Sequence, residues 1–224
     1  MDDLVSTDWL AQNLGQADVV VVDASWHMPA PGRKGRDEYL AAHIPGARWV
    51  NHEEWAKSFG DGRDTAAWSR RIGELGIAGD TPVIVYDDNL AKDAARIWWI
   101  LRYWGVQNPQ LLNGGWLGWT QAKLPTEKEV APHSPVKFQA MPFAARYATK
   151  DQLLLSLAGQ ALQIVDARSE AEHCGTETLS NSRAGAIPGA MQLEWSDLLD
   201  AKTHRFKPAE ELKALFTKAG IELD

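Results

Sequence analysis

The sequence holds one cysteine, Cys174, among 224 residues. That excludes an internal disulfide framework and any zinc site built from several cysteines. No apolar run approaches the roughly 20 residues that a membrane-spanning helix needs. A basic surface is missing too. The net charge is −7, which argues against nucleic acid as a partner. The first residues, Met1-Asp2-Asp3-Leu4, carry acids where a signal or transit peptide would carry bases, so the expected address is the cytoplasm. His27, His52, His133 and His204 lack the spacing of a metal ligand set, and Gly114-Gly115 is a turn with no following Lys-Ser/Thr. No metal, phosphate loop or cofactor is expected.

What is present describes an ordinary globular chain. Hydrophobic residues make up 45% and charged residues 24%, at a length that suits one large domain or two of ordinary size. Tryptophan is over-represented, with 11 Trp against 4 Tyr and 5 Phe. No carbohydrate-type pattern surrounds these residues, so they read as a Trp-rich core.

The chain repeats itself. Val19-Val20-Val21-Val22-Asp23-Ala24 returns as Gln163-Ile164-Val165-Asp166-Ala167-Arg168, and His43-Ile44-Pro45-Gly46-Ala47 returns as Ala186-Ile187-Pro188-Gly189-Ala190. Both pairs are offset by the same 143 positions (Asp23 to Asp166, Pro45 to Pro188), as is Ser6-Thr7-Asp8-Trp9-Leu10 against Thr149-Lys150-Asp151-Gln152-Leu153. A constant offset across three landmarks marks a tandem duplication. Leu75-Gly76-Ile77 then matches Ala219-Gly220-Ile221. The first copy continues through Thr81-Pro82-Val83-Ile84-Val85-Tyr86-Asp87-Asp88, whereas Asp224 is the last residue given. The second copy is therefore expected to lack the counterpart of residues 81 to about 122. It is expected to expose an unpaired strand edge and to be the less stable half.

Each copy reads as α/β. Residues 6–14 form a short helix capped by Ser6 or Thr7, and Val19–Val22 and Val83–Tyr86 are runs suited to strands buried on both faces. Residues 64–76 and 92–104 are helical, the latter ended by Gly105. Gln110-Leu111-Leu112 is a short strand before the Asn113-Gly114-Gly115 turn. Alternation of strands and helices implies mainly parallel sheets flanked by helices, with ligands at the C-terminal strand ends. Residues 123–146 contain Pro125, Pro132, Pro135 and Pro142. They read as an ordered or semi-extended linker, which gives domains at 4–122 and 147–224.

The Asp-Ala-Ser and Asp-Ala-Arg strand ends, the His-Ile-Pro-Gly-Ala turn, the Val-Ile-Val-Tyr-Asp strand and the Leu-Leu-Asn-Gly-Gly-Trp turn together resemble tandem rhodanese domains. That family includes thiosulfate and 3-mercaptopyruvate sulfurtransferases. The resemblance implies sulfur transfer in two half-reactions. A thiolate in the second domain takes a sulfane sulfur from an anionic donor and passes the persulfide sulfur to a thiol or cyanide. A ring of backbone N–H groups at a helix N-terminus would depress the thiol pKa and hold the persulfide anion. In such proteins the first domain carries Asp at the nucleophile position. Here Asp87 stands there, and it cannot form a persulfide. The catalytic cysteine is expected beyond Asp224, so the 224-residue chain itself is expected to be inactive.

The remaining candidates follow from that resemblance and from their positions. Asp166 and Arg168 end the first strand of the second copy, and the resemblance places this pair beside the active loop as a brace. A salt bridge that merely holds the strand end is the alternative. Arg183 lies where the family has substrate-contacting arginines, although a solvated loop residue is the alternative. A planar guanidinium suits a sulfonate or carboxylate. Cys174, in Glu172-His173-Cys174-Gly175, lies outside the expected cradle and reads as an incidental thiol rather than as a nucleophile paired with His173. Two departures from the family bear on the reaction. Ala186 replaces the histidine found at His43, and Glu172 stands where mercaptopyruvate-type members have arginine, which favours thiosulfate. Two other functions compete: a non-catalytic rhodanese-like binding or regulatory module, and a phosphatase relative, for which neither copy shows the Cys-loop-Arg. Self-association through the incomplete second domain is a further expectation.

Overall fold

The computed structural model of the chain describes residues 3–16, 19–27, 32–159, 162–179 and 181–223. Two compact units emerge: Met1–Tyr147 with Thr203–Arg205, and Ala148–Lys202 with Phe206–Asp224.

The first unit is built on a five-stranded sheet in the order β1-β5-β4-β2-β3, with every pairing parallel. Its strands are β1 (Leu4–Val5), β2 (Val20–Asp23), β3 (Arg48–Trp49), β4 (Val83–Tyr86) and β5 (Pro109–Leu112). The central strands β2 and β4 are buried at all four positions. This is why their sequences are unbroken apolar runs rather than alternating ones. Each fully buried Val or Ile contributes about 1.5–3 kcal/mol. The helices are α1 (Thr7–Asn13), α2 (Gly35–Ala41), α3 (His52–Phe59), α4 (Thr65–Glu74), α5 (Lys92–Tyr103) and α6 (Gly115–Gln121). Ser6, Asn51 and Asp64 cap α1, α3 and α4, each accepting a backbone N–H from the first turn. The Trp-rich composition does serve packing here. Trp68, Trp104 and Trp119 are fully buried, and Trp55, Phe59, Trp68, Trp104 and Tyr103 form one aromatic cluster.

The proline-rich stretch after α6 is ordered, extended and fastened along the first unit. Glu127 and His43 exchange both backbone hydrogen bonds (2.9 and 3.0 Å), and Val136 N–H donates to Gly73 O (2.9 Å). Met141 N–H and Phe143 N–H reach the carbonyls of Trp104 and Tyr103. The prolines suit this role because a strap bonded at intervals does not need every N–H.

The second unit has α7 (Lys150–Gly159), β6 (Val165–Asp166), α8 (Glu170–His173), β7 (Met191–Gln192) and α9 (Ala209–Lys218). Its sheet has two parallel strands, β6 and β7, in the register Val165↔Met191 and Asp166↔Gln192. This repeats the pairing of β2 with β3, Val22↔Arg48 and Asp23↔Trp49. The other edge of β2 is taken by β4; among the described residues nothing takes the matching edge of β6. Val165 is accordingly 42% exposed and Leu155 on α7 77% exposed.

Candidate active site

In the first unit the site is built at the C-terminal end of β4. Asp87 follows Tyr86 directly, and the chain then turns through Asp88–Ala91 into α5. Asp87 is buried, and its carboxylate accepts four backbone N–H groups. Oδ1 takes those of Asn89 (3.0 Å) and Ala91 (2.9 Å), and Oδ2 takes those of Asp93 and Ala94 (both 2.8 Å). The loop achieves this by placing two consecutive non-glycine residues, Leu90 (φ 54°) and Ala91 (φ 58°), in the left-handed region. That conformation is costly and needs compensation. The four hydrogen bonds and the positive end of α5 supply it. Burial raises the Asp87 carboxyl above its ordinary range and the neighbouring charge of Asp93 adds to the shift, while the N–H donors oppose both.

The Gly114-Gly115 turn closes the loop from behind. Trp116 N–H donates to Asp87 O (2.9 Å), and a side chain at Gly115 (φ 51°) would overlap that same carbonyl. The mouth is held by a polar clasp. Arg33 bonds both oxygens of Glu38 and also Asp88 Oδ2, each at 2.8 Å; His27 Nε2 lies 2.8 Å from Glu38 Oε2. In the sequence Asp87 stands out only as the nucleophile position, and His27 shows no metal-ligand spacing. The clasp leaves no motif there, because Asp88 lies 55 residues from Arg33.

Beside this loop β2 ends at Asp23, in register with Tyr86. Asp23 is buried, accepts Ser25 N–H (2.8 Å) and is hydrogen-bonded by the Tyr86 side chain. Burial nevertheless pushes its carboxyl up to about 6. The counterpart of Ser25 in the second unit is Arg168, and the balance is reversed there. Arg168 forms a fork on Asp166, Nε to Oδ1 (2.9 Å) and Nη2 to Oδ2 (2.6 Å), while His173 Nδ1 lies 3.1 Å from Oδ2. The guanidinium holds the Asp166 carboxyl well below the usual carboxylate range. Arg168 also donates to Gly185 O (3.0 Å) and so ties down the loop carrying Arg183.

Asp166, Arg168 and Arg183 line one hollow of about 450 Å³ with Val165, Ala186 and Ile187. The side chain of Arg183 has no hydrogen bond or ion pair among the described residues. Cys174 stands apart from this arrangement. It is exposed at the C-terminal end of α8, where its own N–H donates to Glu170 O (2.9 Å), and no described donor reaches its sulfur. Among the described residues no cluster of His, Cys, Asp or Glu could hold a metal ion, and no helix is long and apolar enough to cross a membrane.

Comparison with known proteins agrees with this geometry. A model of the rhodanese-like domain matches residues 6–122. The thiosulfate sulfurtransferase of Bos taurus is 32% identical over 98% of this chain and 78% of its own length. The 3-mercaptopyruvate sulfurtransferase of Escherichia coli K12 is 31% identical over 98% and 80%. The crystal structure of SseA from Escherichia coli, reported with the rhodanese fold and mechanism of 3-mercaptopyruvate sulfotransferases, superposes with a TM-score of 0.85. It is 28% identical and covers 99% of this chain and 85% of SseA. The chain has the α/β fold of these proteins, and it belongs to the rhodanese family.

Proposed function

We propose that this chain acts in sulfur transfer from an anionic donor, thiosulfate before 3-mercaptopyruvate, to a thiol or cyanide. The nucleophile would be a cysteine lying beyond residue 224, with no cofactor taking part and the cytoplasm as the site of action. The observation that carries this reading is the amide cradle around Asp87. Four converging N–H groups and a helix N-terminus form an environment that stabilises a thiolate or persulfide. In this reading residues 4–122 are a non-catalytic domain whose cradle is filled by a carboxylate. Residues 123–146 join it to 147–224, the N-terminal part of the catalytic domain. Asp87 keeps the vestigial nucleophile position, Asp166 supports the active loop, and Arg168 and Arg183 receive the donor anion.

The chemistry balances without an external oxidant. A thiolate attacks the outer sulfur of thiosulfate, a sulfur–sulfur bond forms to the protein, and sulfite leaves with the electron pair. Cyanide or a thiolate then attacks the persulfide's outer sulfur and releases the protein thiolate. Arg183 would carry the charge of the donor's sulfonate end, and Arg168, which also holds Asp166 and the Gly185 carbonyl, would add its charge at the same hollow while fixing the loop geometry.

The test is thiocyanate formation from thiosulfate and cyanide. The 224-residue chain should show none above background, and Cys174→Ser should change nothing. A chain continued through a Val-rich strand into a cysteine-bearing loop should turn over. Turnover by the 224-residue chain that Cys174→Ser abolishes would overturn the proposal. The second reading, a binding or regulatory module, rests on the carboxylate that already occupies the Asp87 cradle. A stop codon directly after Asp224 in the gene favours it. Self-association through the open edge of β6 follows from either reading.

A further inference from the structure

His43 lies under the proline-rich strap of the first unit. Its side chain is fully buried, and its backbone exchanges both hydrogen bonds with Glu127 of the strap. The ring stacks on Tyr39 of α2, with centroids 3.9 Å apart. Nδ1 is 2.6 Å from Tyr39 O. A carbonyl only accepts, so Nδ1 carries the hydrogen. In a neutral imidazole the other nitrogen, Nε2, is then a bare acceptor. Nε2 has no hydrogen-bond partner among the described residues, and it faces Glu127 Oε1 at 3.6 Å. That carboxylate is itself fixed, because Oε1 accepts Gly46 N–H at 2.6 Å. A buried lone pair thus points at a group that also only accepts. One added proton turns the mismatch into a charge-assisted hydrogen bond, whose usual length is about 2.7–2.9 Å. The new charge would sit at the C-terminal end of α2, where a helix favours a cation.

We propose that His43 and Glu127 are a proton-operated latch for the strap. With a proton on Nε2, imidazolium and carboxylate close on each other and hold the start of the strap against the first unit. Without it the two acceptors repel, and the backbone bonds alone remain. The strap is the stretch of chain between the two units, so the latch sets how much of that connection is slack. Other ionisable groups surround the ring. Tyr39 covers one face, and the Tyr86 hydroxyl, which accepts Ile44 N–H at 3.3 Å, also bonds Asp23. Arg48 and His133 line a hollow beside Gly46. Asp23, pushed up to about 6 by burial, and His133, whose Nε2 is 3.1 Å from Glu74 O, each bring a pH dependence of their own. A substitution at Glu127 separates the latch from both.

The experiment is amide hydrogen exchange of the 224-residue chain, corrected for intrinsic rates, at about pH 5 and about pH 8, the limits between which histidine changes charge. The amides of His43, Gly46 and Glu127 should be about tenfold better protected at the lower pH, the value of one charge-assisted hydrogen bond. Those of Met141 and Phe143, bonded farther along the strap to the Trp104 and Tyr103 carbonyls, should change little. Glu127→Gln keeps an oxygen for Gly46 and both backbone bonds while removing the charge, at a side chain that is 30% exposed. It should abolish the difference. Imidazole nitrogen chemical shifts should show Nδ1–H of His43 at both pH values and Nε2–H only at the lower one. Equal protection at the two pH values, the same ratio at Met141 as at Gly46, or full pH dependence in Glu127→Gln would each overturn the proposal.

Discussion

The two units place the same short strand in two different settings. β2 is paired on both edges and buried throughout, while β6 is paired on one edge and half open to water. The carboxylate ending each strand differs accordingly. Asp23 has a serine two residues on and is pushed up to about 6 by burial; Asp166 has Arg168 there and is held low. One backbone position thus carries a desolvated acid in one copy and a charge-paired acid in the other. The duplication preserved the frame, while burial at Asp23 and the Arg168 guanidinium at Asp166 set opposite electrostatics.

The largest effect that would break this comparison is expected at Asp87. Asp87→Ala leaves four N–H groups without their acceptor and removes the compensation for Leu90 and Ala91. It should destabilise the first unit by about 3–5 kcal/mol in urea unfolding, with the second unit's transition unmoved. An unchanged midpoint would mean that the cradle does not hold the loop.

The next effect is a pH dependence of opposite sign in the two units. Asp23 has a folded pKa of about 6 against an ordinary 3.8, so the folded state holds the proton longer. Its contribution is present below about pH 4 and is lost as pH rises to about 6, a decline of about 3 kcal/mol. Asp23→Asn should flatten that slope. Asp166 is shifted down, so its contribution is present at neutral pH and is lost on acidification below the ordinary carboxylate range. Unit-resolved hydrogen exchange across pH 3–7, a range chosen to bracket ordinary and raised carboxylate pKa values, would show both trends. Parallel slopes in the two units would contradict the account.

Smaller changes sharpen the division of labour between the arginines. Arg168→Ala should free the Gly185 loop and cost about 1 kcal/mol, whereas Arg183→Ala should leave stability within about 0.5 kcal/mol and weaken thiosulfate binding. An effect of similar size is expected at the strap. Glu127→Ala removes the acceptor of Gly46 N–H (2.6 Å) but keeps the backbone bonds to His43, a loss of about 0.5–1 kcal/mol.

Much of the fold was legible because it rests on local pattern. Unbroken Val/Ile runs marked β2 and β4, and the constant offset marked the repeat. Ser6 was readable as a cap, and Gly105 as the end of α5. The strap was harder, because prolines erase periodicity without preventing an extended segment from bonding at intervals. Helices α2, α3, α6, α8 and α9 went unread; α2, α6 and α9 have no capping side chain. At the site the positions of Asp87, Asp166, Arg168 and Arg183 could be named. The fourfold capture of Asp87 could not, since it is made by main-chain donors and by left-handed residues that are not glycine. The Arg33–Glu38–Asp88 clasp brings Asp88 to Arg33 across 55 residues of sequence, which leaves no spacing to find.

The central claim is that sulfane chemistry needs a thiol inside an amide cradle and that Cys174 is not in one. Intact-protein mass spectrometry of the 224-residue chain after incubation with thiosulfate tests it most directly. The account predicts an unchanged mass and no released sulfite. Stoichiometric addition of one sulfur atom at Cys174, with an equivalent of sulfite in solution, would contradict it.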